Sequence, residues 1–135
     1  MADRKRELDE LEKLLGRLCA ANLESPVLVE GKRDVGALRA LGLEGEVVKL
    51  NRGKSLVDRT DALSRRYRQV IVLTDWDRKG VELHDRLVRL LRDARVESDD
   101  FIWSRLRRLA GGGCRTVEDL PSFLALLKER AGSGA

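Results

Sequence analysis

The feature that most restricts the fold is an alternation. Three short apolar runs, VLVE at 27–30, EVVKL at 46–50 and QVIVLTD at 69–75, are each followed by polar residues and then by apolar residues at helical spacing. Runs this short and rich in valine read as strands buried on both faces. Strands alternating with helices imply a parallel sheet joined by right-handed crossovers. Val35, Leu38 and Leu41 mark the helix after the first run, with Gly42 as its stop. Leu56, Leu63 and Tyr67 mark the second helix. Leu83, Leu87, Leu90, Leu91 and Ala94 mark a long third helix with one apolar stripe. His84 falls on the polar side of that helix and is expected to be exposed.

The flanks are helical. Leu8, Leu11, Leu15 and Leu18 predict an amphipathic helix over residues 4–20. Beyond residue 95, RV reads as a short edge strand, and DFIWSRLRRL as a helix capped by Asp100. GGG at 111–113 makes a turn, TVEDLPSFLALLKER a last helix and AGSGA a frayed tail. The expectation is one α/β domain over 1–135, with about four strands in a Rossmann-like core at 26–95 and a helical extension at about 100–130.

Composition excludes several classes. No apolar stretch reaches the length of a membrane span, and the N-terminus is charged, so no membrane role and a cytoplasmic location are expected. Cys19 and Cys114 are too few and too distant in sequence for a disulfide framework or a zinc site, and neither has an obvious histidine partner for nucleophilic work. A net charge of +4 and a pI near 9.4 permit a nucleic-acid partner without requiring one.

In an open parallel sheet, ligands bind at the carboxyl ends of the strands. The first strand ends in Glu30, the second runs into Asn51-Arg52-Gly53-Lys54, and the third ends in Asp75 and Asp77. In extended backbone those two aspartates project to one side, with Trp76 opposite. Clustered carboxylates repel one another unless a cation or protons intervene, and Mg²⁺ accepts one or two carboxylates together with waters and phosphate oxygens. The blander alternative is that Asp77 or Thr74 caps the next helix while Asp75 is solvated. Lys32 and Arg33 at a helix start, Arg52 and Lys54 on the strand-end loop, and Arg78 and Lys79 beside the aspartates are candidates for binding a phosphate backbone. NRGKS is not a Walker A loop, because Val48 stands where its first glycine belongs. Trp76 and Trp103 are read as packing residues.

VLVEGKRDVGAL followed by VIVLTDWDRKG resembles the TOPRIM domain of type IA topoisomerases, bacterial-type primases, ribosomal-RNA maturation ribonucleases and OLD-family nucleases. Glu30-Gly31 matches its first motif, and Asp75, Asp77 and Gly80 match its second. The whole chain is similar to the small stand-alone TOPRIM proteins of archaea and bacteria. The resemblance implies that Asp75 and Asp77 are metal ligands and that Glu30 completes the metal sphere or acts as general acid/base. It implies Mg²⁺, with Mn²⁺ as a substitute, and phosphodiester chemistry on RNA or DNA by a small nuclease. Many members carry a glutamate directly after the second motif's glycine; here Val81 stands there and Glu82 follows. It also gives Tyr67 no nucleophilic role, since that role belongs to a separate domain. The alternative is a non-catalytic module that binds metal and nucleic acid and uses its C-terminal helices for a homodimer or a protein partner.

Overall fold

The structure is a computed structural model that describes residues 2–50 and 55–133. Its elements are α1 (Ala2–Asn22), β1 (Val27–Val29), α2 (Lys32–Ala40), β2 (Val47–Lys49), α3 (Leu56–Arg66), β3 (Gln69–Val72), α4 (Arg78–Asp93), β4 (Glu97–Asp99), α5 (Phe101–Ala110) and α6 (Leu120–Ser133). The four strands form one sheet in the order β2-β1-β3-β4, and every pairing is parallel. This is the Rossmann-like α/β architecture that the alternation implies.

Period-two alternation divides the core. Val27, Val29, Ile71 and Leu73 face a cluster built with Leu11, Leu15 and Leu18 of α1, Leu38 of α2, Ile102 and Leu106 of α5, and Leu120 and Leu127 of α6. Leu28, Val70 and Val72 face the other way, onto Leu63 of α3 and Leu87 and Leu91 of α4. Both faces of β1 and β3 are thus covered, which is why their sequences are apolar without interruption. The apolar sides of α5 and α6 meet α1 within the chain.

The edge strand β4 reads Glu97-Ser98-Asp99 and lies two residues beyond the predicted RV. It has no apolar residue, and its strand character comes from pairing with Gln69, Val70 and Ile71. Val96, expected in that strand, lies instead just before it, buried against α4 with its N–H bonded to the Leu91 carbonyl at 2.8 Å. The last helix starts at Leu120, and the residues from Thr116 to Asp119 form turns that matter below.

Buried Asn22 clasps α1 to the sheet edge. Its Nδ2 donates to the Ser25 and Glu46 carbonyls at 3.1 and 2.9 Å, and its Oδ1 accepts from Gly45 N–H at 2.8 Å. No helix among the described residues is long and apolar enough to cross a membrane.

Candidate functional site

The chain crosses from β1 outward to β2 and then back past β1 to β3, so the crossovers diverge between β1 and β3. That switch point is where an open α/β sheet leaves a crevice, and Glu30 and Asp75 lie just beyond the ends of these two strands. Glu30 Oε2 accepts the Asp75 backbone N–H at 2.8 Å. Two strand ends remote in sequence are therefore joined at one rim, as expected.

The two aspartates do not share an environment. The strand ends at Val72, and both aspartates lie in the connection to α4, where each bonds a different backbone amide. Asp75 is half-buried, and its Oδ1 accepts from Val117 N–H at 2.9 Å. Asp77 is the N-cap of α4, its Oδ1 accepting from Gly80 N–H at 2.7 Å. The capping alternative thus describes one oxygen of Asp77, while the solvated alternative fails for Asp75.

Gly80 explains the spacing of the second motif. A Cβ there would collide with the Asp75 carbonyl, so only glycine lets the first turn of α4 close onto the aspartate loop. Buried Thr74 adds a clamp, with Oγ1 donating to the Gly80 carbonyl at 3.1 Å. Gly31 is different. Its backbone is extended and no described residue lies within 4 Å of where a Cβ would sit, although the residue lines the crevice.

The crevice is a cleft of about 650 Å³. One set of lining residues is acidic: Glu30, Asp34, Asp75 and Glu118. Another is basic: Lys32, Arg33, Arg59 and Arg86. Asp34 is buried and its Oδ2 accepts from Gly31 N–H at 3.0 Å, closing the start of α2. Burial pushes the Asp34 carboxyl above its usual range, with the Glu118 charge adding to the effect and the Gly31 amide opposing it. Asp75 is pushed up to about 7, first by burial and then by the negative charges of Glu30, Asp34 and Asp77, against the Val117 amide. Arg59 Nε is buried and has no hydrogen-bond partner among the described residues.

Of the predicted backbone-binding residues, Lys32 and Arg33 line the cleft. Arg33 pairs with Glu118 at 3.6 Å across largely exposed side chains, a contact of little energetic weight. Arg78 and Lys79 are exposed and do not line it; Arg78 pairs with Glu82 at 3.7 Å on the exposed side of α4. Arg52 and Lys54 lie outside the described residues. Asp34, Glu118, Arg59 and Arg86 were not singled out from sequence.

A brace from the C-terminal extension was also missed. Trp76 N–H donates to the Arg115 carbonyl at 2.9 Å, and Trp76 Nε1 donates to the Cys114 carbonyl at 2.6 Å. Trp103 Nε1 donates to the Asp75 carbonyl at 3.2 Å. Both tryptophans are core residues, as read from sequence. His84 is not exposed: it is buried, stacked on Trp103 at 3.6 Å, and bonded through Nε2 to Asp100 at 2.8 Å and through Nδ1 to Asp85 at 2.9 Å. Asp100 spends its carboxylate on that histidine and makes no cap bond to α5; Asp99 bonds Phe101 N–H instead. Both cysteines are free, and burial raises the Cys114 thiol to about 11, which leaves it unreactive.

The donor set suits a hard divalent cation. It is all carboxylate oxygen, and the Asp75 carboxyl, raised first by burial and then by its acidic neighbours, would be eased by a cation at its side. Among the described residues no three Asp, Glu, His or Cys side chains form a ready-made cage. An ion here would complete its shell with water or substrate oxygens, the habit of Mg²⁺ rather than of a structural zinc.

Fold and site together define a Rossmann-like α/β protein with a strand-end cleft that sets carboxylates opposite cations. The Toprim domain matches residues 25–101, and the chain belongs to the Toprim domain family. A UPF0292 protein of Thermoplasma volcanium is 38% identical over 109 residues, 81% of this chain and 90% of that one. A UPF0292 protein of Thermococcus gammatolerans is 37% identical over 116 residues, 86% of this chain and 81% of that one. A solved structure of an Aquifex aeolicus protein superposes with a TM-score of 0.70 at 27% identity, covering 82% of this chain and 97% of that one. Toprim domains typically bind divalent metal ions, and membership points to a metal-dependent function connected with nucleic acids.

Proposed function

We propose that the chain is a Mg²⁺-dependent phosphodiesterase that cleaves RNA or DNA, with Mn²⁺ as a working substitute. The observation that supports this reading is that Glu30 bonds the Asp75 amide at one rim of a cleft lined by Glu30, Asp34, Asp75 and Glu118, which also presents cations. Asp75 and Asp77 would hold the ion, and Glu30 would complete its surroundings from β1. When bound, the ion polarises the scissile phosphate and lowers the pKa of the attacking water.

The remaining work falls to the side chains. Glu30 keeps one carboxylate oxygen on Asp75 N–H and offers the other to take a proton from the attacking water. Arg59, Arg86 and Lys32, which line the cleft, hold the phosphate against the acidic side. Asp34 keeps Gly31 N–H occupied, so the start of α2 stays fixed.

The test is a panel of labelled RNAs and DNAs incubated with Mg²⁺, Mn²⁺ or chelator. Cleavage is expected only with metal, falling by about a hundredfold or more in Asp75→Asn and Glu30→Gln. Glu30→Gln keeps an oxygen for Asp75 N–H, so its loss would be chemical rather than structural. Cleavage that persists in Asp75→Asn overturns the reading; metal-dependent binding without cleavage of any polynucleotide turns it into the non-catalytic module.

A further inference from the structure

A second concave surface lies between α1 and α5, a groove of about 730 Å³. Lys13 and Arg17 line it from α1, and Arg105 and Arg108 from α5; Glu10 is the one carboxylate in the lining. The ion pairs found among the described residues involve none of these four cations. Helix α5, FIWSRLRRLA, contains no acidic residue, so its arginines have no carboxylate partner on their own helix.

The arginines are also arranged. Arg17 lies over the Phe101 ring at 4.0 Å and Arg105 at 4.8 Å, so one aromatic ring positions guanidiniums from both helices. Two like charges brought to one ring raise the local potential and favour an anion between or beside them. Along each helix the cations repeat at about one turn, so each wall carries charge at intervals of roughly 4.5–6 Å. A repeating polyanion matches such rows better than a lone phosphate does. Apart from Phe101, these residues lie outside the stretch that matches the Toprim domain.

We propose that the α1–α5 groove is a docking surface for the sugar-phosphate backbone of a nucleic acid, separate from the strand-end cleft. It makes contacts to phosphate and none to bases, so binding there is independent of sequence and sensitive to salt.

The experiment is fluorescence anisotropy with labelled oligonucleotides, single-stranded and duplex, RNA and DNA, in chelator at several salt concentrations. Arg105→Gln/Arg108→Gln is expected to weaken binding several-fold and to flatten the slope of log affinity against log salt by about 1.5, the share of two lost phosphate contacts. Arg89→Gln/Arg92→Gln removes the same charge from the exposed side of α4 and is expected to change the slope little. Lys13→Gln/Arg17→Gln repeats the test from the opposite wall and decides it if the α5 pair fails to fold by thermal melting. Equal effects from the groove and α4 variants overturn the proposal. So does displacement of the oligonucleotide by polyglutamate as readily as by unlabelled nucleic acid of equal charge, which would mark an acidic protein as the better occupant. Because chelator silences cleavage, loss of groove binding and loss of activity in Asp75→Asn are separate results.

Discussion

At the end of β3, Asp75 is held through its amide by Glu30, through its carboxylate by Val117 and through its carbonyl by Trp103, with Gly80 pressed against it. At the end of β1, Gly31 donates to Asp34 and accepts from Val35 N–H, and no described residue lies within 4 Å of where its Cβ would sit. The two motif glycines therefore serve different ends. Gly80 is small so that the protein can close on itself, and Gly31 is small where something else can approach. A site that binds and releases a ligand needs one fixed wall and one accessible wall, and the two strand ends divide that work.

Alanine substitutions should separate the two glycines most sharply. Gly80→Ala is expected to destabilise by about 2–3 kcal/mol, because the Cβ must displace backbone, and to cut metal-dependent activity as well. Gly31→Ala should cost at most about 1 kcal/mol, a loss typical of an N-cap position, yet reduce activity or metal affinity. Paired chemical melts and activity assays check this; a Gly31→Ala protein with full activity would remove the functional distinction.

Acidity gives the next contrast. Folding raises the Asp75 pKa from 3.8 to about 7, so between those values the native state keeps a proton that the unfolded chain has released. Its contribution to stability is greatest in acid and declines as pH rises through about 7. In chelator, the wild type should lose melting temperature between pH 5 and pH 8 relative to Asp75→Asn. Mg²⁺ should restore more at pH 8 than at pH 5. Parallel curves for the two proteins would show that Asp75 ionises freely.

The smallest effect concerns the brace. Trp103→Phe keeps an aromatic face for His84 but deletes the donor to the Asp75 carbonyl, at a cost of about 1 kcal/mol. Activity should fall modestly through kcat, with KM little changed. A drop in kcat as large as that of Asp75→Asn would make the tryptophan more than a support.

The sheet was legible because β1 and β3 are covered on both faces and so carry unbroken apolar runs. Glu30, Asp75 and Gly80 were legible because their motifs are local. β4 was displaced because an edge strand of Glu97-Ser98-Asp99 has nothing apolar to mark it. His84 was misread because the buried stripe of α4 runs Gly80, His84, Leu87, Leu91, and a polar residue type hid its place in that stripe. The bond from Val117 to Asp75 spans 42 positions and uses a backbone N–H, which no side-chain pattern records. Arg59 and Arg86 escaped for a related reason: each sits on a different helix, and only the folded cleft puts them together.

The brace also has a consequence for where this protein can be cut. The loop carrying Asp75 and Trp76 depends on Cys114, Arg115 and Val117, all downstream of the stretch that matches the Toprim domain. An excised 25–101 fragment, or a chimera grafting those residues into another scaffold, would inherit the motif while leaving behind the scaffolding that shapes it. A transplant that preserves the acidic loop must carry its own tail along.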